Sequence, residues 1–195
     1  MVVMTVRYRT VVAERKTRRD WAAAALDAIA EGGLAAVAVE PLAVRLGTTK
    51  GSFYWHFANR DTLVEAALVL WEEQGTAAVI AELEALPDPE ARLRRLFDLV
   101  FRDGTAGRVD LALLAHADDP LVAPVLARVT GRRLDYLVRT MTGLGHARED
   151  AHHRAVLSYT SYLGLLVTQR AAGGSLFRSR RTREAYLDYL LRLTR

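Results

Sequence analysis

The chain has 195 residues, 51% of them hydrophobic and 26% charged, which supplies a sizeable core and is too apolar for a disordered segment. No run approaches the ~18–20 apolar residues that cross a bilayer, and Arg7 and Arg9 interrupt Val2, Val3, Met4 and Val6 too early for a secretory signal. The absence of Cys excludes a disulfide scaffold, thiol catalysis and Cys-ligated zinc, so a soluble cytoplasmic protein with no membrane partner is expected. The net charge of +4 sits entirely in residues 1–60, where nine Lys/Arg meet five acids, while residues 61–195 hold 18 of each. That asymmetry fits a nucleic-acid-binding module on a neutral body, and it fits a solvated helical face as well.

In chain order, residues 1–14 read as a basic tail. Everything after them has a helical period, with no convincing strand alternation. The first helix spans about 15–31, with Ala22, Ala25, Leu26 and Ile29 on one face, and Gly32-Gly33 stops it. A short helix follows, with Val39, Leu42, Ala43 and Leu46 on one side and Pro41 in its first turn, where a missing N–H costs little. Gly47-Thr48-Thr49 breaks the pattern. Thr49 is placed to cap a third helix over 50–56, and Asn59 to cap a fourth. Residues 61–86 form a long helix with Gly75 as a kink point, and Pro87-Asp88-Pro89 ends it. Asp88 caps the next helix with Pro89 at its first position, and Leu93, Leu96, Phe97, Val100 and Phe101 make that helix amphipathic. A short helix ends near His116. Asp119-Pro120 repeats the cap-then-proline start for a helix to about 142, which Pro124 bends or delays. Helices over about 147–172 and from about 182 complete the chain. The expected fold is all-α with about nine helices: a three-helix head over 15–60 and a larger helical body over 61–195.

Helices two and three, joined by a tight glycine-containing turn, describe a helix-turn-helix. Phe53 and Phe57, four apart, are its core positions, leaving Thr49, Lys50, Ser52, Tyr54, Trp55 and His56 on the other face. So small a domain does not normally expose Tyr, Trp and His together without a partner for them. Gly51 removes a side chain where the backbone could approach a phosphate, and the helix N-terminus favours an anion. Lys50 and Arg60 could neutralise flanking phosphates. The alternatives are ordinary packing against the first helix for Tyr54 and Trp55, and closure of the domain for His56.

The stretch Gly33-Leu34 … Val39-Glu40-Pro41-Leu42-Ala43-Val44-Arg45-Leu46-Gly47-Thr48-Thr49-Lys50-Gly51-Ser52-Phe53-Tyr54-Trp55-His56-Phe57-Ala58-Asn59-Arg60-Asp61-Thr62-Leu63 resembles the DNA-binding domain of the tetracycline-repressor (TetR) family at many fixed offsets over about 45 residues. Two positions depart from the pattern. Ala38 stands where a Ser/Thr cap is usual, which weakens the second helix by roughly 1 kcal/mol at most, and Thr48 replaces the usual Val. The resemblance implies that Thr49, Lys50, Tyr54 and Arg60 contact phosphates and that Ser52, Trp55 and His56 lie nearest base edges, with Gly51 allowing close approach. Phosphate contacts set register and base contacts carry sequence. Arg7 and Arg9 form either a minor-groove arm or a solvated tail.

For the body the resemblance covers helix layout only, and implies a domain that binds a small molecule and dimerises. Its last two helices would pack on their copies through Ala151, Ala155, Gly164, Ala171, Tyr186, Leu190 and Leu193, the alternative being intramolecular core. A pocket would draw on Trp71, Phe97, Phe101, Leu113, His116, Tyr136, Met141, Tyr159 and Tyr162, apolar walls with a few polar handles, the alternative again being plain core. His152 and His153 beside Asp150 point about 100° apart on a helix and do not share a metal site easily. No metal, cofactor or enzymatic activity is expected, since no nucleophile triad, phosphate loop or His-Glu-x-x-His is present. The expectation is a homodimeric transcriptional regulator, a repressor, that reads a palindromic double-stranded DNA operator and is released by a small-molecule effector. The alternatives are a small-molecule binding protein and a DNA-binding activator without an effector.

Overall fold

The computed structural model describes residues 15–102, 106–173, 176–177 and 179–194, without the side chains of residues 101, 102 and 106. The basic tail of residues 1–14 and the Phe101 side chain lie outside the described residues. Among the described residues the chain is all-helical. It opens with α1 (Arg18–Gly32), a single 3-10 turn (Leu34–Ala36), α2 (Val39–Arg45) and α3 (Lys50–Tyr54). A long rod follows, made of α4 (Arg60–Glu72), a π-helical turn (Glu73–Ala77) and α5 (Ala78–Glu84). Then come α6 (Pro89–Arg102), α7 (Ala106–Leu114), α8 (Ala123–Gly143), α9 (Arg148–Ala171) and α10 (Arg180–Thr194). Counting the rod once leaves nine helices among the described residues.

The helix boundaries follow local chemistry. Thr17 caps α1 in a reciprocal box with Asp20, and this hydrogen bonding, from the Thr17 backbone first and its hydroxyl second, holds the Asp20 carboxyl below its usual range. Asn59 caps α4 through the Thr62 amide at 2.9 Å, and Asp88 caps α6 through the Ala91 amide at 2.8 Å. Pro124 delays α8: the Asp119 carboxylate accepts from Leu121 N at 2.9 Å and Val122 N at 3.3 Å, but the helix begins at Ala123 with the proline in its first turn. The kink expected at Gly75 is a widened turn inside a continuous rod.

Two cores hold the molecule together. The first joins Trp21, Ala25 and Ile29 of α1 to Phe53 and Phe57, to Leu63, Val64, Ala67 and Leu68 of α4, and onward to Leu113, Val122 and Val129. The head and the near end of the body therefore share one apolar interior. The Trp21 and Phe53 rings meet edge-to-face at 5.5 Å, and Phe53 stacks on Phe57 at 5.5 Å. The second core gathers Leu93 and Phe97 of α6, Leu137 and Met141 of α8, Ala151 and Ala155 of α9, and Leu190 and Leu191 of α10. No described helix is long and apolar enough to cross a membrane.

Candidate functional site

The head presents its second and third helices to solvent. Thr49 caps α3, which fixes the start of the helix beside Lys50 and Gly51. With Phe53 buried, the same helix turns Tyr54 outward, and Trp55 follows it at the C-cap; they are 58% and 79% exposed. Arg15 lies 5.9 Å over the Trp55 ring. Val44 on α2 is 80% exposed; it belongs to the same helix-turn-helix unit and was not singled out in the sequence, where one more Val in an apolar run carries no mark. Lys50 Nζ pairs with Glu40 Oε1 at 2.8 Å. This hydrogen bond and the Glu40 charge raise the lysine above its usual range, so Lys50 is a full cation held at the start of α3. Ser52 is half-buried and Thr49 and Gly51 are exposed.

Two residues grouped with this face are engaged elsewhere. His56 Nε2 donates to the Lys16 carbonyl at 2.8 Å while its own carbonyl accepts from Arg18 Nη1 at 2.7 Å, so it ties the end of α3 to the entry of α1. Arg60 donates through Nε to the Val37 carbonyl at 2.9 Å and through Nη2 to that of Leu34. It straps the start of α4 to the segment between α1 and α2. Gly33 in that segment adopts φ 70° and ψ −167°, and the His116 ring at the end of α7 sits where a side chain would be, with its Cε1 2.8 Å from an ideal Cβ position. His116 Nδ1 donates to the Ala112 carbonyl at 2.8 Å, which fixes the ring. His116 is thus a joint between head and body.

The body contains a cavity of about 340 Å³. Of the pocket residues named from the sequence, Trp71, Phe97, Tyr136, Tyr159 and Tyr162 line it. Leu113 and His116 belong to the first core and its joint, and Met141 to the second; none of the three reaches the cavity wall. The cavity has a polar clasp that sequence reading missed. Arg133 of α8 donates through Nη1 to Asp110 Oδ1 of α7 at 2.9 Å, through Nε to Thr76 Oγ1 at 3.0 Å, and through Nη2 to the Gly75 carbonyl at 3.2 Å. Tyr162 of α9 donates to Asp110 Oδ2 at 2.8 Å. The side chains of Arg133 and Asp110 are 15% and 7% exposed. Burial is the largest influence on the Arg133 charge and works against it, but the Asp110 charge, the Tyr159 and Tyr162 phenols and the Asp110 hydrogen bond together leave its pKa raised. Burial also pushes the Tyr162 phenol upward, followed by the Asp110 charge, so the hydroxyl stays a donor. The widened turn of the rod, with Gly75 and Thr76, is one wall of this site.

The two final helices divide their small and apolar residues. Ala151, Ala155 and Leu190 are buried within the protomer, Tyr186 is half-buried against the second core, and Gly164, Ala171 and Leu193 are exposed. Leu157, Val167 and Tyr189 are exposed on the same two helices. His152 and His153 are exposed, and Asp150 instead accepts from Arg154 at 2.8 Å and lies 3.0 Å from His146. Among the described residues no group of three His, Cys, Asp or Glu is placed to hold a metal.

Residues 22–67 match the family of bacterial regulatory proteins called tetR. Over 96 residues the chain is 34% identical to the HTH-type transcriptional regulator TtgR of Pseudomonas putida, a stretch that covers 49% of this chain and 46% of that protein. The chain thus aligns with about half the length of the curated relatives it matches. The whole fold is similar to that of a transcriptional regulator from Rhodococcus sp. Rha1, with a TM-score of 0.74 at 24% identity over 92% of this chain and 96% of that one. It is also similar to a transcriptional regulator from Saccharomonospora viridis in complex with choline, with a TM-score of 0.72 at 22% identity over 91% and 92%. Residues 22–67 are thus a domain of the tetR family, joined to a helical body that the solved structures match in fold.

Proposed function

We propose that this chain is a homodimeric, ligand-responsive transcriptional repressor of the cytoplasm, whose two heads read the half-sites of a palindromic operator. The observation that carries this reading is a single rod joining the two sites: α4 is packed into the head core, and its continuation through Gly75 and Thr76 lines the cavity. In this reading Thr49, Lys50 and Tyr54 meet phosphates while Ser52 and Trp55 face base edges. His56 and Arg60 hold the helix-turn-helix in shape, and Gly51 lets the backbone come close. The exposed faces of α9 and α10, with Leu157, Gly164, Val167, Ala171 and Leu193, meet their copies, so that two-fold symmetry sets half-site spacing. Ligand in the cavity releases the operator only if it binds the conformation that does not fit DNA more tightly than the one that does. That a regulator of similar fold has been solved with choline supports a small-molecule site in the body.

The test is selection of genomic fragments bound by the purified chain, followed by anisotropy titration of the best site across a salt series. A palindromic site bound by two protomers, with affinity falling steeply as salt rises, supports the reading. Absence of any specific fragment at low salt refutes it.

A further inference from the structure

The chemistry of the cavity wall goes beyond the presence of a pocket. Among its described lining residues Asp110 and Arg133 are the only charged side chains, and the rest are chiefly Leu, Val, Ile, Phe, Trp and Tyr. The pair cancels, and each Asp110 oxygen already accepts a hydrogen bond, from Arg133 and from Tyr162. An arginine has five N–H donors, and three of those of Arg133 are used, on Asp110, Thr76 and Gly75. One N–H on each terminal nitrogen is left without a protein acceptor among the described residues. The wall therefore offers donors and no unused negative charge.

We infer that the cavity takes a neutral, mainly apolar ligand of one or two rings that carries one hydrogen-bond acceptor, such as a carbonyl, received by the free N–H groups of Arg133. This rests on reading the cavity as the effector site. The volume, about 340 Å³, is near the lower end of small-molecule pockets, which limits the ligand to that size. An anionic ligand would bring a second negative charge beside Asp110 into an apolar enclosure with no further cation to balance it, and an uncompensated buried charge is costly. A cationic ligand would meet Arg133, which already lies 5.4 Å over the Trp71 ring and already holds the Asp110 carboxylate. A neutral acceptor meets neither penalty. Its bond to a guanidinium is charge-assisted and stronger than a neutral one.

The probes are biphenyl, acetylbiphenyl, biphenylcarboxylate and biphenylmethylammonium, which share one apolar frame and differ in charge and acceptor. Calorimetric titration of the full chain should rank acetylbiphenyl at least about tenfold tighter than biphenyl, the increment of a hydrogen bond to a charged group, with both ions weaker than the ketone. In the double variant D110N/R133M, which removes both charges together, the ketone's advantage over biphenyl should vanish. Should that variant fail to fold, the ranking on the unmodified chain still decides. Tighter binding of the carboxylate or the ammonium overturns the proposal, as does a ketone no better than biphenyl or binding by none of the four. Operator release is read separately by anisotropy. A ketone that ranks first without releasing DNA leaves the ligand class standing and refutes the effector reading, whereas operator release by a probe of the wrong rank refutes the ligand class and leaves the effector reading standing.

Discussion

Replacing Gly33 by Ala should loosen the joint between head and body more than any other single methyl in the head. Gly33 has φ 70° and ψ −167°, in a region that residues with a Cβ essentially do not occupy, and holding one there costs about 1–3 kcal/mol. The new methyl would also lie 2.8 Å from His116 Cε1, and the ring cannot simply swing aside, because its Nδ1 is bonded to the Ala112 carbonyl. Overpacking of this kind costs about another 1–3 kcal/mol, so the expected loss is about 2–6 kcal/mol in all. The two parts separate in a double-mutant cycle. His116→Ala opens the space but leaves the backbone strained, so Gly33→Ala should cost only about 1–3 kcal/mol in that background. Urea unfolding followed by circular dichroism, with linear extrapolation to water, measures all four corners. A loss within about 0.5 kcal/mol, the range of ordinary surface substitutions, would refute the argument from backbone and contact. Strict additivity of the two substitutions would refute the contact alone.

Three further outcomes are expected. Lys50→Ala should weaken operator binding and make the plot of log affinity against log salt shallower by about one unit; an unchanged slope would remove Lys50 from the phosphate contacts. Glu72 accepts hydrogen bonds from Arg128 first and Arg132 second, which lower its pKa below the ordinary 4.5. A carboxylate whose folded value is depressed contributes stability above the unfolded value and loses it as pH falls through the folded one. The difference in urea midpoint between the unmodified chain and Glu72→Gln should therefore be largest above pH 4.5 and shrink below it, and a gap that stays constant through acid pH would contradict the sign. Leu157→Asp, on the exposed face of α9, should shift sedimentation equilibrium toward monomer and weaken operator binding together; a dimer that survives it places the interface elsewhere.

What could be read in the chain before its structure is what neighbouring residues decide among themselves. Thr49, Asn59 and Asp88 cap helices because a short polar side chain reaches an amide three residues on, and the spacing of Phe53 and Phe57 settles which side of α3 is inside. Pro124 gave two options, bend or delay, and the competition is settled by the turn that Asp119 builds before it. Residues whose partners are distant in sequence were opaque. Arg60 looks like any exposed cation until the carbonyls of Leu34 and Val37 arrive beside it. Asp110 and Arg133 are a pair only because α7 and α8 meet at one cavity. Small residues were the most ambiguous: Ala151 and Ala155 let a helix approach closely, and nothing local tells whether that helix is the protomer's own.

The widened turn at Glu73–Ala77 also sets a phase. A π turn holds about one residue more than an α turn, and one residue is about 100° of helical rotation. Before the turn the rod buries Ala67 in the head core and Trp71 between that core and the cavity; after it the rod buries Leu83 completely, on the wall of the same cavity. Were the turn regular, every side chain from Ala78 onward would be rotated by about that angle, and Leu83 would leave the interior. One extra residue thus keeps the two ends of the rod in step, so that Trp71 and Leu83 both face the cavity.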